Sequence, residues 1–137
     1  MITAVDTSVL LDILLDDPAH GEASAGMLEK CIKEGRIIAC DVVWAELAAN
    51  CRREAKFRKV VDAFGLEYSP LGQEAAFLAG AMWKSYRDDG GTRARVVADF
   101  MIGAHAMTQA QRLLSRDRGF CRKYFKELPL LDPAHVR

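Results

Sequence analysis

Four carboxylates, Asp6, Glu46, Asp99 and Asp117, stand where strands end or helices begin, and acids so placed could together hold a divalent cation. One acid at a strand end is more often a helix cap than a ligand. Four at the same edge of one sheet are harder to dismiss. Two carboxylates about 4 Å apart repel by about 4 kcal/mol at an effective dielectric of about 20. Such pairs persist by taking up protons or by binding a cation. Oxygen-only ligands suit Mg2+ or Mn2+, which keep waters and bind phosphate oxygens. A metal there lowers the pKa of a bound water, orients it, and stabilises charge developing on a phosphoryl group.

The elements that must position these acids can be read along the chain. Ile2 to Val5 is a short apolar run ending at Asp6, which predicts a strand followed at once by a helix with Thr7 or Ser8 at its cap. That helix, Val9–Leu15, stops at Asp16-Asp17-Pro18, and a second runs from Ala19 to Glu34 and ends at Gly35. Ile37-Ile38-Ala39 forms the second strand, after which Asp41 caps a helix carrying Glu46 in its second turn. A basic helix follows over Arg52–Val61, then a short strand over Leu66–Leu71 and an Ala-rich helix over Gln73–Tyr86. Arg87 to Thr92, with Gly90-Gly91 inside it, is the clearest loop. Val96 to Met107 returns to helix, Arg112 to Ser115 is a strand leading to Asp117, and Leu128–Leu131 is the last strand.

Apolar strands alternating with helices predict a parallel sheet of four to five strands covered on both faces, a three-layer α/β/α architecture. Sites in such sheets lie at the carboxyl ends of strands near a switch in strand order. Asp6 and Asp117 fall at such ends, while Glu46 and Asp99 lie near helix starts, where backbone N–H groups favour negative charge.

Composition sets the outer limits. The 137 residues, 50% apolar, suit one domain over 1–137 with a real core. With 19 basic and 19 acidic residues, bulk charge gives no hint of nucleic acid, so any such binding must come from uneven distribution. No apolar run approaches the roughly 20 residues of a membrane span. The N-terminus also lacks a signal peptide's basic start, so the expected setting is cytoplasmic and without a membrane. Cys31, Cys40, Cys51 and Cys121 show no metal-ligand spacing and read as small buried thiols.

In order along the chain, Val5-Asp6-Thr7-Ser8-Val9-Leu10, Val43-Trp44-Ala45-Glu46-Leu47, Ala98-Asp99-Phe100-Met101-Ile102-Gly103-Ala104-His105-Ala106 and Leu113-Leu114-Ser115-Arg116-Asp117-Arg118-Gly119-Phe120 resemble the four motifs of PIN-domain nucleases. Each motif alone is weak, but all four in order are specific. Length and spacing resemble the VapC-type toxins of type II toxin–antitoxin pairs. The resemblance implies a PIN-like fold and a Mg2+- or Mn2+-dependent endoribonuclease that hydrolyses RNA phosphodiester bonds by metal-activated water. It further implies 3′-hydroxyl and 5′-phosphate products, a homodimer, and a VapB-type antitoxin whose tail blocks the acidic pocket. It carries over Asp6, Glu46, Asp99 and Asp117 as the acidic quartet, with Asp6 and Asp99 the foremost metal ligands. Glu46 is a ligand or positions the attacking water, and Asp117 is an outer or water-bound ligand. Ser115 matches a family hydroxyl bonded within the cluster, and Thr7 or Ser8 helps to fix Asp6.

Basic residues gather at Arg52, Arg53, Lys56, Arg58 and Lys59, and again at Arg112, Arg116, Arg118, Arg122, Lys123 and Lys126. Singly, each reads as part of a solvated face; as groups they could bind phosphate beside an acidic cleft. Arg116 and Arg118, flanking Asp117, are the foremost RNA-binding candidates, followed by Arg93 and Arg95. His105 reads as a packed core histidine, since six residues separate it from Asp99, about 120° off on a helix. Trp44 reads as packing, with contact to an RNA base as its functional alternative. Trp83, Tyr86, Met27 and Leu28 divide evenly between core and dimer surface.

A haloacid-dehalogenase-type phosphatase would need an acid where Ser8 stands, and a Rossmann nucleotide site would need a GxGxxG after the first strand. Two alternatives stay open: a PIN nuclease outside toxin–antitoxin pairs, and a PIN scaffold that binds RNA or protein without turnover.

Overall fold

The structure is a computed structural model that describes residues 1–93, 96–116 and 119–135. Its centre is a five-stranded parallel sheet in the order β3-β2-β1-β4-β5, built from β1 (Ile2–Val5), β2 (Arg36–Ala39), β3 (Leu66–Tyr68), β4 (Arg112–Leu114) and β5 (Leu130–Leu131). The helices are α1 (Thr7–Leu14), α2 (Gly21–Glu34), α3 (Asp41–Ala48), α4 (Glu54–Phe64), α5 (Gln73–Asp88), α6 (Val97–Gln109) and α7 (Phe120–Tyr124). Connections from β1 to β3 step one way across the sheet and those from β3 to β5 step the other. Right-handed crossovers then set α1–α4 on one face and α5–α7 on the opposite face. This is the expected three-layer α/β/α arrangement.

Central strands buried from both sides favour apolar residues, and beyond Thr3, Arg36 and Arg112 near their starting ends they have them. Ala4, Val5, Ile37, Ile38, Ala39, Leu113 and Leu114 are all in the core. Val9, Leu10, Val43 and Leu47 cover one face, and Phe100, Ala104 and Ala106 of α6 belong to the same core. Gly103 lets α6 approach its neighbour, because a Cβ there would meet the Phe125 ring at 2.5 Å. Gly35 is required by proximity too: a Cβ on it would lie 1.9 Å from the Met1 carbonyl oxygen.

Several boundaries differ from the sequence reading for local reasons. β3 is shorter than Leu66–Leu71. Ser69 N–H still donates to the Ala39 carbonyl at 2.9 Å, but Pro70 has no N–H with which to continue the ladder. β5 is also shorter than expected, since Leu128 turns into the core and its N–H bonds to the Phe125 carbonyl. α5 runs on to Asp88, which pairs with Lys84 one turn earlier at 2.9 Å. Asp41 does not cap α3. Cys40 holds the cap position, and the Asp41 carboxylate instead accepts from Tyr68 Oη (2.6 Å) and Leu71 N (2.7 Å). Those bonds, the phenol's first, hold its carboxyl below the usual range.

Met27 and Leu28 are buried, so the core claims them. Tyr86 packs against Phe100 and Tyr124, with centroids 5.7 and 6.2 Å away, and Trp83 lies half-buried under the Arg87 guanidinium. Cys31 and Cys40 are buried as expected, Cys51 and Cys121 only partly.

Candidate functional site

β1 and β4 are neighbours, and the chain leaves them in opposite directions across the sheet, so a crevice must open beyond their carboxyl ends. A cleft of about 230 Å³ lies there. Asp6 enters it from the end of β1, Ser115 and Arg116 from the end of β4, and Thr7 and Ser8 from the first turn of α1. Glu46 reaches it from α3, Asp99 from the first turn of α6, and Arg93 from the segment before α6. Every residue singled out for the site that the structure describes therefore lines one cleft. Asp117, Arg118 and Arg95 lie outside the described residues.

The hydroxyls divide between the two acids nearest them. Ser115 Oγ donates to Asp6 Oδ2 at 2.5 Å, bridging the ends of two paired strands. The Thr7 hydroxyl donates to Glu46 Oε1 at 2.8 Å and ties α1 to α3, while the Thr7 N–H and the Ser8 N–H and hydroxyl bond to Asp6. Ser8 Oγ accepts a long bond from the Arg116 N–H at 3.5 Å. No side-chain capping bond closes the N-terminus of α1.

Burial pushes the Asp6 carboxyl above its ordinary range, opposed by the Ser115 hydroxyl and by the N–H groups of Thr7 and Ser8. Glu46 and Asp99 are exposed toward the solvent side of the cleft. Among the described residues, no three His, Cys, Asp or Glu side chains stand close enough to hold a metal ion by themselves. The donor chemistry still fits a small hard cation, because Mg2+ needs only one or two carboxylates and fills its shell with waters and phosphate oxygens.

The basic candidates sort by position. Arg112 belongs to the opposite end of β4: it is buried, with Nε donating to Thr3 Oγ1 at 2.8 Å and Nη2 3.2 Å from Glu34. It is therefore a structural residue and not a cleft cation. Arg58 pairs with Glu54 on α4, away from the cleft. Arg116 does line the cleft, yet Nε and Nη2 grip both oxygens of Asp12 at 2.7 and 2.8 Å. Asp12, buried on α1 and also bonded by Ser24 Oγ at 2.7 Å, was not singled out from the sequence. A signal was there: a lone carboxylate inside the apolar run Val9–Leu15 has no reason to be buried without a partner.

His105 is a core histidine, as expected. It is 1% exposed and its Nε2 lies 2.9 Å from Ser69 Oγ, outside the cleft lining. Since Ser69 Oγ donates to Gln109 Oε1, the network assigns the proton to Nε2. Burial lowers the His105 pKa and keeps the ring neutral. Trp44, partly buried, packs edge-on against Phe57 and Tyr68 at 5.5 and 5.4 Å and does not line the cleft.

The PIN domain family matches residues 3–126 of the chain. No curated protein matches it in sequence. Among solved structures, VapBC2 from Rickettsia felis, bound to a promoter DNA fragment, aligns over 96% of this chain and 98% of its own at 21% identity and TM-score 0.72. FitAcB from Neisseria gonorrhoeae aligns over 99% and 100% at 21% identity and TM-score 0.69. VapBC-1 from nontypeable Haemophilus influenzae aligns over 98% and 99% at 14% identity and TM-score 0.70. At these identities the likeness establishes a shared fold. Among the described residues, no helix is long and apolar enough to cross a membrane.

Proposed function

We propose, since this chain belongs to the PIN domain family, that it is a metal-dependent endoribonuclease and the toxin of a type II toxin–antitoxin pair. The observation that carries the reading is the convergence of Asp6, Glu46 and Asp99, from three separate elements, on one cleft at the switch in strand order. Asp6 and Asp99 would hold Mg2+ or Mn2+, with Glu46 and Asp117 as further ligands or water-positioning groups. The cation supplies a water of lowered pKa and neutralises charge developing on the phosphoryl group. Ser115 keeps one Asp6 oxygen directed. Thr7 holds the Glu46 carboxylate against its own flexibility.

Solved relatives of the same fold are toxin–antitoxin complexes, among them one from Klebsiella pneumoniae. Accordingly the proposed partner is a VapB-type antitoxin that covers the acidic cleft, and the proposed assembly is a homodimer.

The test uses the purified chain and cellular RNA. Cleavage in Mg2+ or Mn2+ is expected to leave 5′-phosphate ends, to fall by about 100-fold or more in EDTA, and to return when the cation is restored. Undiminished cleavage in EDTA would contradict the mechanism. Tight RNA binding with no cleavage in either cation favours the scaffold reading. Removing only the Thr7 hydroxyl, as Thr7→Val, is expected to lower kcat by about tenfold, the usual scale for a group that orients a catalytic ligand. An unchanged kcat would show that Glu46 needs no such support.

A further inference from the structure

Arg116 is held in an uncommon way for a residue on a binding surface. Its carboxylate partner is 5% exposed, lies 104 positions away in the chain, and is itself anchored by the fully buried Ser24 hydroxyl. Taking Asp12 out of water is costly, and an ion pair recovers that cost only when the geometry is good and the remaining lone pairs are bonded. Here both conditions hold: the pair is bidentate and Ser24 supplies the additional bond. The guanidinium has five N–H donors in a rigid plane. Asp12 engages the edge formed by Nε and Nη2, and among the described residues nothing bonds to Nη1. The same side chain lines the cleft that Asp6, Glu46 and Asp99 share.

We propose that Asp12 is a positioning residue: it clamps one edge of Arg116 so that the other edge faces the cleft and takes a phosphate oxygen of the RNA. This rests on the nuclease reading and adds to it the group that seats the backbone of the substrate. The pair as a whole is neutral, so its contribution is directional. A fixed donor edge selects a phosphate oxygen at one place, whereas a free arginine would fold back onto the neighbouring carboxylates.

Directional and purely electrostatic roles predict opposite signs. Asp12→Asn removes a negative charge beside the cleft, so an effect of charge alone would tighten RNA binding. A positioning role requires weaker binding, and a merely structural role leaves the affinity of the folded protein unmoved. The measurement is the Kd of a labelled short single-stranded RNA on an Asp6→Asn background, where the nuclease reading requires the RNA to stay whole. Asp12→Asn is expected to raise Kd by about tenfold, the value of one charge-assisted hydrogen bond, at a temperature where circular dichroism shows the variant folded. Added to Arg116→Gln, it is expected to change Kd by less than about twofold, because both act through the same contact. An unchanged or lowered Kd, or effects that multiply in the double variant, overturns the proposal. Should Asp12→Asn fail to fold, Ser24→Ala removes only one anchor of the carboxylate. It is expected to raise Kd by about threefold, and no change there overturns the proposal equally. Absence of RNA cleavage by the unaltered chain in Mg2+ would remove the nuclease reading while leaving the Asp12 effect on binding to stand or fall by itself.

Discussion

Asp6→Asn is expected to reduce kcat for RNA cleavage by about 1000-fold or more while the protein stays folded. Asn keeps the shape of Asp and can still accept from Ser115 Oγ, so the link between β1 and β4 survives. What it loses is the charge that would hold a cation. The electrostatics argue against collapse of the fold. Burial raises the Asp6 pKa in the folded state above its unfolded value, and the protonated carboxyl is the form the site tolerates best. The stability contributed by that group is present below the unfolded pKa and is lost as pH rises through the folded pKa. Wherever that carboxyl is ionised in the metal-free protein its burial is unfavourable, and Asn removes that cost. The melting temperature of the variant without metal is expected to equal or exceed that of the parent. Mg2+ is expected to raise the melting temperature of the parent and not of the variant. Cleavage within tenfold of the parent, or a Mg2+ shift that survives the substitution, would remove Asp6 from the proposed site.

The largest effect on stability is expected at the next residue but one along the cleft-forming helix's sequence from Ala98. Phe100, fully buried on α6, packs its ring against Tyr124 at 5.3 Å, Tyr86 at 5.7 Å and Phe125 at 6.4 Å. Phe100→Ala deletes the centre of this aromatic group and leaves a cavity that the surrounding helices can close only in part. The expected cost is about 3–5 kcal/mol, measured by urea unfolding with the m-value unchanged. A loss below about 1.5 kcal/mol would mean that α5, α6 and α7 can collapse around the gap. Because Asp99 precedes Phe100 in the first turn of α6, activity is expected to fall more steeply on warming than in the parent.

Asp6, Glu46 and Asp99 were legible in the sequence because their placement is nearly local and because the PIN-like motifs stand in order; Ser115 was legible through that resemblance alone. A strand end is marked by where an apolar run stops, and a helix start by the residues that follow. The order of strands then follows from connection lengths and handedness, which bring the ends of β1 and β4 together. The parallel three-layer fold was legible for the same reason: strands covered on both faces are mostly apolar runs.

Pairings between distant side chains were not legible. Arg112 and Arg116 are four residues apart and look equivalent in a basic stretch. Yet about 3.3 Å of rise per strand residue carries them toward opposite ends of the sheet. One is buried against Thr3 and Glu34, and the other is clamped by Asp12 at the cleft. Thr7 could have turned to Asp6 or to Glu46; the position of α3 beside α1 decided for Glu46. Trp44, two residues from Glu46 on the same helix, faces another way because successive helical residues diverge by about 100°. Sequence alone marked the acids and hydroxyls that, among the described residues, reach the cleft, through strand ends, helix starts and the four PIN-like motifs in order. Tertiary structure alone decided what each of them holds there, since a hydrogen bond depends on contacts between segments that the chain separates by up to 109 positions.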